Sequence, residues 1–177
     1  QTRRLAGLKE INQSPDIWFW QKQFSNNRIF FFAGNKGELI VKPRFQVGDI
    51  VYVKEAWAAM AIYDNFKPSD MPKGTPIWYK DTDVDSLTGC GDDMGKWGSP
   101  MFMPEWAART FVEITDVRLE RLEQITEADC ISEGVEDIGA GDLRGMYAIL
   151  WDSINLKTPW SSNPWCFVYS FCLVAGK

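Results

Sequence analysis

Short apolar runs bounded by turn residues recur along this chain and predict an architecture built mostly of strands. Residues 28–33 (RIFFFA) and 38–42 flank the turn sequence Gly34-Asn35-Lys36-Gly37 and read as a hairpin. Pro43 and Gly48-Asp49 mark a loop and turn before a strand over residues 50–57, and residues 77–80 form a further short strand. Residues 109–121 read as a long strand. Residues 165–174 are almost continuously apolar, as expected of a strand covered on both faces. Two helices break the pattern. Thr126 and Asp129 make an acidic variant of the capping box, Ile125 is placed to staple onto Cys130, and Gly134 suits the left-handed residue after the last turn. Asp142 caps the second helix, whose Leu143, Met146, Tyr147, Leu150 and Ile154 fall on one face. Residues 65–75 and 81–99 are rich in Gly, Asp, Pro and Ser and read as long loops, usually functional or mobile in a compact domain. Strands with two helices predict one α+β domain over residues 1–177: a small, partly open β-barrel with flanking helices and long loops at about 58–100.

Two carboxylates stand out against this pattern. The first helix ends on Glu133, where the helix dipole opposes an acid by roughly 0.3–1 kcal/mol. An unexplained local cost tends to sit at a functional site, and the same opposition favours the protonated acid, which suits proton transfer. The plain alternative is a solvated carboxylate on a surface turn. In the strand over residues 50–57, Glu55 shares a face with Val51, Val53 and Trp57, a poor place for an isolated charge. Arg4 or Arg109 would supply its partner, either as a buried pair that fixes the fold or as part of a ligand site.

Composition narrows the chemistry. A net charge of −5 and a pI near 4.8 argue against tight sequence-independent binding of nucleic acid, unless Arg3, Arg4, Arg109, Arg118 and Arg121 converge locally. Histidine is absent, which removes the Ser-His-Asp and Cys-His constellations and the usual zinc sites. The four cysteines, Cys90, Cys130, Cys166 and Cys172, form no C-x-x-C pair and read as buried thiols of a reducing cytoplasm. No metal and no cofactor are expected. No apolar run is long enough to span a membrane, and the first residues do not look like a signal peptide. Nine tryptophans are an unusual supply of flat rings. Trp18, Trp20, Trp151 and Trp165 read as packing, whereas Trp97, Met101, Met103 and Trp106 bracket two prolines, and Trp57 points inward from its strand. Such rings stack on a pyrimidine for ~1–3 kcal/mol each, although most aromatic residues are core. Arg109 is placed to reach a sugar or carbonyl oxygen, with an exposed salt bridge as its plain alternative.

The blocks VGDIVYVKEAW (residues 47–57), SPMFMPEWAARTFVEITDVRLERLEQITEADCISEGV (99–135), LWDSIN (150–155) and NPWCFVYSF (163–171) resemble, in this order, ASCH-domain proteins. These belong to the PUA-like superfamily, and the likeness is to the longer form common in phage and prophage genomes. It covers most of the chain outside roughly residues 5–42 and 58–97. Family members carry G-x-K-T-x-T-x-R after their first helix, and Gln1-Thr2-Arg3-Arg4 matches its last four positions. The Gly, Lys and first Thr then fall before residue 1, so the sequence reads as starting inside its own motif.

The resemblance implies a PUA-like barrel and an activity. Small bacterial ASCH proteins include amidohydrolases that remove the acyl group from N4-acetylcytidine, with a Lys, a Thr and a Glu as the proposed catalytic set. Carried onto this chain, the Thr is Thr2, and the Glu, which follows a T-E-x-x-x-x-x-E run, is Glu133. A threonine hydroxyl needs a base, and a lysine of depressed pKa would serve. The expected function is hydrolysis of N4-acylated cytidine-type nucleosides, with Thr2 and Glu133 catalytic. Glu55, Trp57, Met103, Trp106, Arg109 and Arg4 are expected to bind the substrate. The expected partner is thus a small pyrimidine nucleoside. An RNA or modified-base reader of the PUA-like type is the alternative, and a ribonuclease the third. The acidic pI favours the nucleoside.

Overall fold

The computed structural model describes residues 1–24, 29–34, 37–83, 93–136 and 141–174. Its strands, in chain order, are β1 (Thr2–Arg4), β2 (Trp18–Phe24), β3 (Ile29–Gly34), β4 (Gly37–Val41), β5 (Ile50–Tyr52), β6 (Trp57–Ala58), β7 (Trp78–Tyr79), β8 (Phe111–Arg121) and β9 (Trp165–Leu173). The α-helices are α1 (Lys80–Asp83), α2 (Glu127–Ser132) and α3 (Leu143–Ile154). The chain divides into two compact units where the sequence reads as one domain with long loops. Unit one holds Gln1–Asp49 and Glu113–Cys172, and unit two holds Ile50–Val112 and Leu173–Lys177.

Unit one is a mixed α+β body built on a curled antiparallel sheet. Strand β1 pairs with β9, setting Thr2 opposite Tyr169, Arg3 opposite Val168 and Arg4 opposite Phe167. On the other side of β9 lies β8, and the Leu122 N–H donates to the Pro164 carbonyl at 2.9 Å where the two strands part. A separate meander of β2, β3 and β4 sets Phe30 opposite Val41 and Gly34 opposite Gly37. Its turn residues Asn35 and Lys36 lie outside the described residues, as do Arg28 and Cys90, and so does the side chain of Trp20.

The core of this unit follows from which faces are apolar. In β9, Cys166, Phe167, Val168 and Tyr169 are all buried, so continuous burial holds in the first half of the strand; Phe171 and Leu173 are exposed. Phe30 meets Phe167 edge-on at 5.3 Å, and Phe32 meets Trp165 in the same way at 5.1 Å. A second cluster joins Leu122, Ile125 and Cys130 to Leu143, Tyr147 and Trp151 of α3. The buried stripe of α3 thus runs through positions 143, 147 and 151, while Leu150 and Ile154, expected on that face, are exposed. Leu150 and Ile154 instead line a cavity together with Trp151. Cys130 and Cys166 are buried free thiols, and burial pushes Cys166 up to about 12; Cys172 is exposed.

Unit two is mostly short elements joined by turns. Strands β6 and β7 pair, with Trp57 opposite Tyr79 and Ala58 opposite Trp78. The Val53 N–H donates to the Thr110 carbonyl at 2.9 Å. The strand expected over 50–57 breaks into β5 and β6, because residues between them are drawn to side-chain partners. Lys54 Nζ donates to the Met101 carbonyl at 2.7 Å, and Glu55 turns to Arg109. Trp57, Ala59, Met103 and Ala107 form the core of the unit, with Tyr79 and Trp106 packed against it. Among the described residues no helix is long and apolar enough to cross a membrane.

Candidate functional site

The amino-terminal strand and the end of α2 are brought together by one arginine. Strand alternation turns Arg3 to the side opposite its neighbours, and its guanidinium is fully buried. Helix α2 starts on the expected box: the Thr126 hydroxyl accepts from the Asp129 N–H at 3.1 Å, and the Asp129 carboxylate accepts from the Thr126 N–H at 3.1 Å. The helix ends at Glu133, and Gly134 takes a φ of +93°, open to glycine at little cost. That ending aims the Glu133 carboxylate at β1. Its Oε1 accepts from Arg3 Nη1, and its Oε2 accepts from the Arg3 main-chain N–H at 3.3 Å and from the Tyr147 hydroxyl at 2.8 Å.

The acid at the helix end is therefore the counter-ion of a buried arginine rather than a solvated turn residue. An opposing dipole worth roughly 0.3–1 kcal/mol is small beside the several kcal/mol that each buried ion needs from a partner. Arg3 Nη2 also reaches Glu120 at 3.2 Å and Asp129 at 3.4 Å, and its Nε is a buried donor with no partner among the described residues. Arg118 extends the network to Glu120 at 2.5 Å, Asp116 at 3.2 Å and Asp129 at 3.6 Å. Gln1 closes it, donating to Asp129 at 2.8 Å and accepting from Arg118 at 3.0 Å.

The titration of these groups follows from their neighbours. Burial works against the charge on Arg3, but Glu133 and Asp129 outweigh it, and the guanidinium pKa is raised. Burial likewise opposes the charge on Asp129. Hydrogen bonds from Gln1 and Thr126, with the charge of Arg3, prevail and lower its pKa to about 2. Burial, then the Glu133 charge, pushes the Tyr147 phenol well above its usual value, so this hydroxyl stays a donor. The carboxylates converge on arginines, and no acidic, Cys or His group among the described residues is arranged to hold a metal ion.

Beside this network lies a cavity of about 340 Å3. Thr2, Arg4, Glu133, Tyr147 and Asn155 give it a polar side; Leu5, Leu150, Trp151 and Ile154 give it an apolar one. Thr2 is half-buried, and Arg4 is exposed with no ion pair among the described residues. Three of the eight expected site residues, Thr2, Arg4 and Glu133, thus share this cavity.

The other five belong to unit two. Arg109 is the partner of Glu55, at 2.6 Å through Nη2 and 3.0 Å through Nε, and it also meets Asp81 at 2.8 Å. Its guanidinium lies 4.2 Å from the centroid of the Tyr79 ring, and the hydrogen bond to Glu55 raises its pKa. Trp57 and Met103 are buried, Trp106 is half-buried against them, and Met103 Sδ accepts from the Glu55 N–H at 3.3 Å. The convergence of arginines into a basic patch is not what the structure has. Arg3, Arg109, Arg118 and Arg121 each face carboxylates, Arg121 pairing with Asp16 at 2.6 Å.

Sequence reasoning missed Arg3 and Tyr147. A tyrosine on the apolar face of a helix carries a hydroxyl that must find a partner when buried, and that was the available signal for Tyr147. Arg3 had none: a buried arginine is rare, and only carboxylates distant in the sequence make its burial affordable. Compared with family models, curated proteins and solved structures, the chain matches none.

Proposed function

We propose that this chain is a PUA-like, ASCH-type amidohydrolase that removes the acyl group from N4-acylated cytidine-type nucleosides. The observation that carries the reading is that Thr2 and Glu133, far apart in sequence, line one cavity of about 340 Å3. That volume lies in the range of roughly 300–1,000 Å3 typical of small-molecule sites. In this scheme the Thr2 hydroxyl attacks the acyl carbon. The Oγ–C bond forms as the C–N4 bond breaks, and the hydroxyl proton ends on the departing amine. Water then cleaves the threonyl ester, releases the carboxylic acid and restores the hydroxyl. Glu133 is the proton acceptor on the wall, held by Arg3 and Tyr147 so that its position is fixed before substrate arrives. Arg4 is the cation available to the tetrahedral oxyanion.

The charge pattern favours a nucleoside over a polymer. Four arginines that a phosphate backbone would need are paired with carboxylates. The test is turnover of N4-acetylcytidine, followed by chromatography at low and high salt. Hydrolysis little affected by salt, and lowered roughly 10²-fold or more in kcat by Thr2→Ala, is the expected result. Salt-sensitive RNA binding with no turnover of any acylated cytidine would replace the enzyme with a reader of RNA.

A further inference from the structure

Unit two contains a cavity of about 240 Å3 formed between residues 57–71 and 96–102. Trp57, Tyr63, Phe66, Trp97 and Phe102 give it an aromatic lining, and Asp64 and Lys96 stand with them. Phe66 is 53% exposed and Phe102 65% exposed, so rings that would ordinarily be core line an opening to solvent. Its walls are fixed by backbone contacts. The Gly98 N–H donates to the Trp57 carbonyl at 2.7 Å, the Gly95 N–H to the Ala59 carbonyl at 2.8 Å, and Trp57 Nε1 to the Ser99 carbonyl at 3.3 Å. Neither glycine leaves free room for a Cβ. A Cβ on Gly98 would meet the Trp57 indole at 3.3 Å, and one on Gly95 would collide with Asp64.

The two charged residues define what fits. Asp64 Oδ1 is committed to the Lys96 N–H at 2.9 Å, which leaves Oδ2 as an acceptor. Lys96 is exposed and has no ion pair among the described residues, so its ammonium is a donor. Flat rings favour a flat π system. A methylated ammonium would suit the rings but would be repelled by Lys96. An acceptor and a donor in one aromatic lining instead match a heterocycle that carries an exocyclic amino group next to a carbonyl or ring nitrogen. We infer that this cavity binds one mononucleoside with an amino-bearing base, cytidine or adenosine, stacked on Trp97 with its amino group on Asp64. The inference uses residues 57–102 alone and stands whether or not Thr2 is a nucleophile.

Equilibrium titration with cytidine, adenosine, uridine and inosine, read through tryptophan fluorescence, tests it. Cytidine and adenosine should bind at least fivefold more tightly than uridine and inosine, the scale of one base-edge hydrogen bond. Asp64→Asn keeps an oxygen for the Lys96 N–H but puts a donor where Oδ2 was, so the preference should reverse. Trp97→Ala should weaken cytidine by fivefold or more. Phe102→Ser, at a side chain too exposed to matter for folding, should weaken it as well. The inference is overturned if none of the four nucleosides quenches saturably, or if only an oligonucleotide binds. It is equally overturned if Asp64→Asn leaves the preference as it was, or if Trp97→Ala and Phe102→Ser both bind cytidine as the unaltered protein does.

Discussion

Glu133→Gln asks the sharpest question of this structure, because it removes one charge from a buried network and almost nothing else. Breaking a buried ion pair by deleting one partner costs about 3–5 kcal/mol, mostly because the remaining ion is left uncompensated. Arg3 would keep Glu120 at 3.2 Å and Asp129 at 3.4 Å, and the glutamine oxygen can still accept one of the hydrogen bonds now shared by Arg3 and Tyr147. The cost should therefore fall at the lower end, about 3 kcal/mol. Glu133→Ala should cost more, by about 1–3 kcal/mol, since the Tyr147 hydroxyl is then buried without an acceptor.

Amide hydrogen exchange read by mass spectrometry localises the effect, which a bulk melting curve of two units does not. A loss of about 3 kcal/mol in the opening free energy is roughly a hundredfold faster exchange, and it should appear in residues 2–5 and in the buried half of β9. Peptides of unit two should be unchanged. If β1 and β9 exchange within threefold of the unaltered protein in Glu133→Gln, the carboxylate contributes no ion-pair stability. The account of the helix-end acid as the partner of Arg3 would then be wrong, and its position would have to be explained by chemistry alone.

The expectations that succeeded rest on local chemistry. The box of Thr126 and Asp129 and the glycine after α2 act within one turn, so their residue types announce them. Alternation is legible only in the first half of β8 (Phe111–Arg121), where Val112 and Ile114 are buried and Glu113 and Thr115 exposed; it shifts at Val117. Strand β1 was invisible for the opposite reason. Thr2-Arg3-Arg4 has no apolar pattern, and Arg3 is buried only because Glu120, Asp129 and Glu133 arrive from more than a hundred residues away.

The same distinction governs the two carboxylates. The period of two places Glu55 on a face with Val51, Val53 and Trp57 only in an unbroken strand; Val53 is exposed, and Glu55 leaves the strand for Arg109. A long-range partner overrode the period. Arg109 as that partner, and Glu133 beside Thr2, were legible only as pairings of charge or as motif positions, with no geometry behind them. Tyr147 shows what lies between these cases: its burial was readable from helical spacing, whereas its hydrogen bond to Glu133 was not.

Two further outcomes follow from the network. Tyr147→Phe removes the hydroxyl that donates to Glu133 at 2.8 Å, and should cost about 1.5–3 kcal/mol, the scale of a hydrogen bond to a charged group, in urea unfolding. An unchanged midpoint would mean that this contact contributes nothing. The remaining outcome is a pH dependence. Asp129 titrates at about 2 in the folded protein, against a usual 3.8, because Gln1, Thr126 and Arg3 outweigh the burial that opposes its charge. A carboxylate of depressed pKa stabilises the fold above its unfolded value, and that contribution fades as pH falls through the interval and is gone below the folded value. Less than two units of depression correspond to a contribution on the order of 2 kcal/mol, present at pH 5 and lost by about pH 2. Comparing urea midpoints of the unaltered protein with Asp129→Asn from pH 5 downwards cancels the titration of the other acids. The two should differ most at pH 5 and converge towards pH 2; a difference constant across that range would show that Asp129 holds its place by shape and hydrogen bonding, and not by its charge.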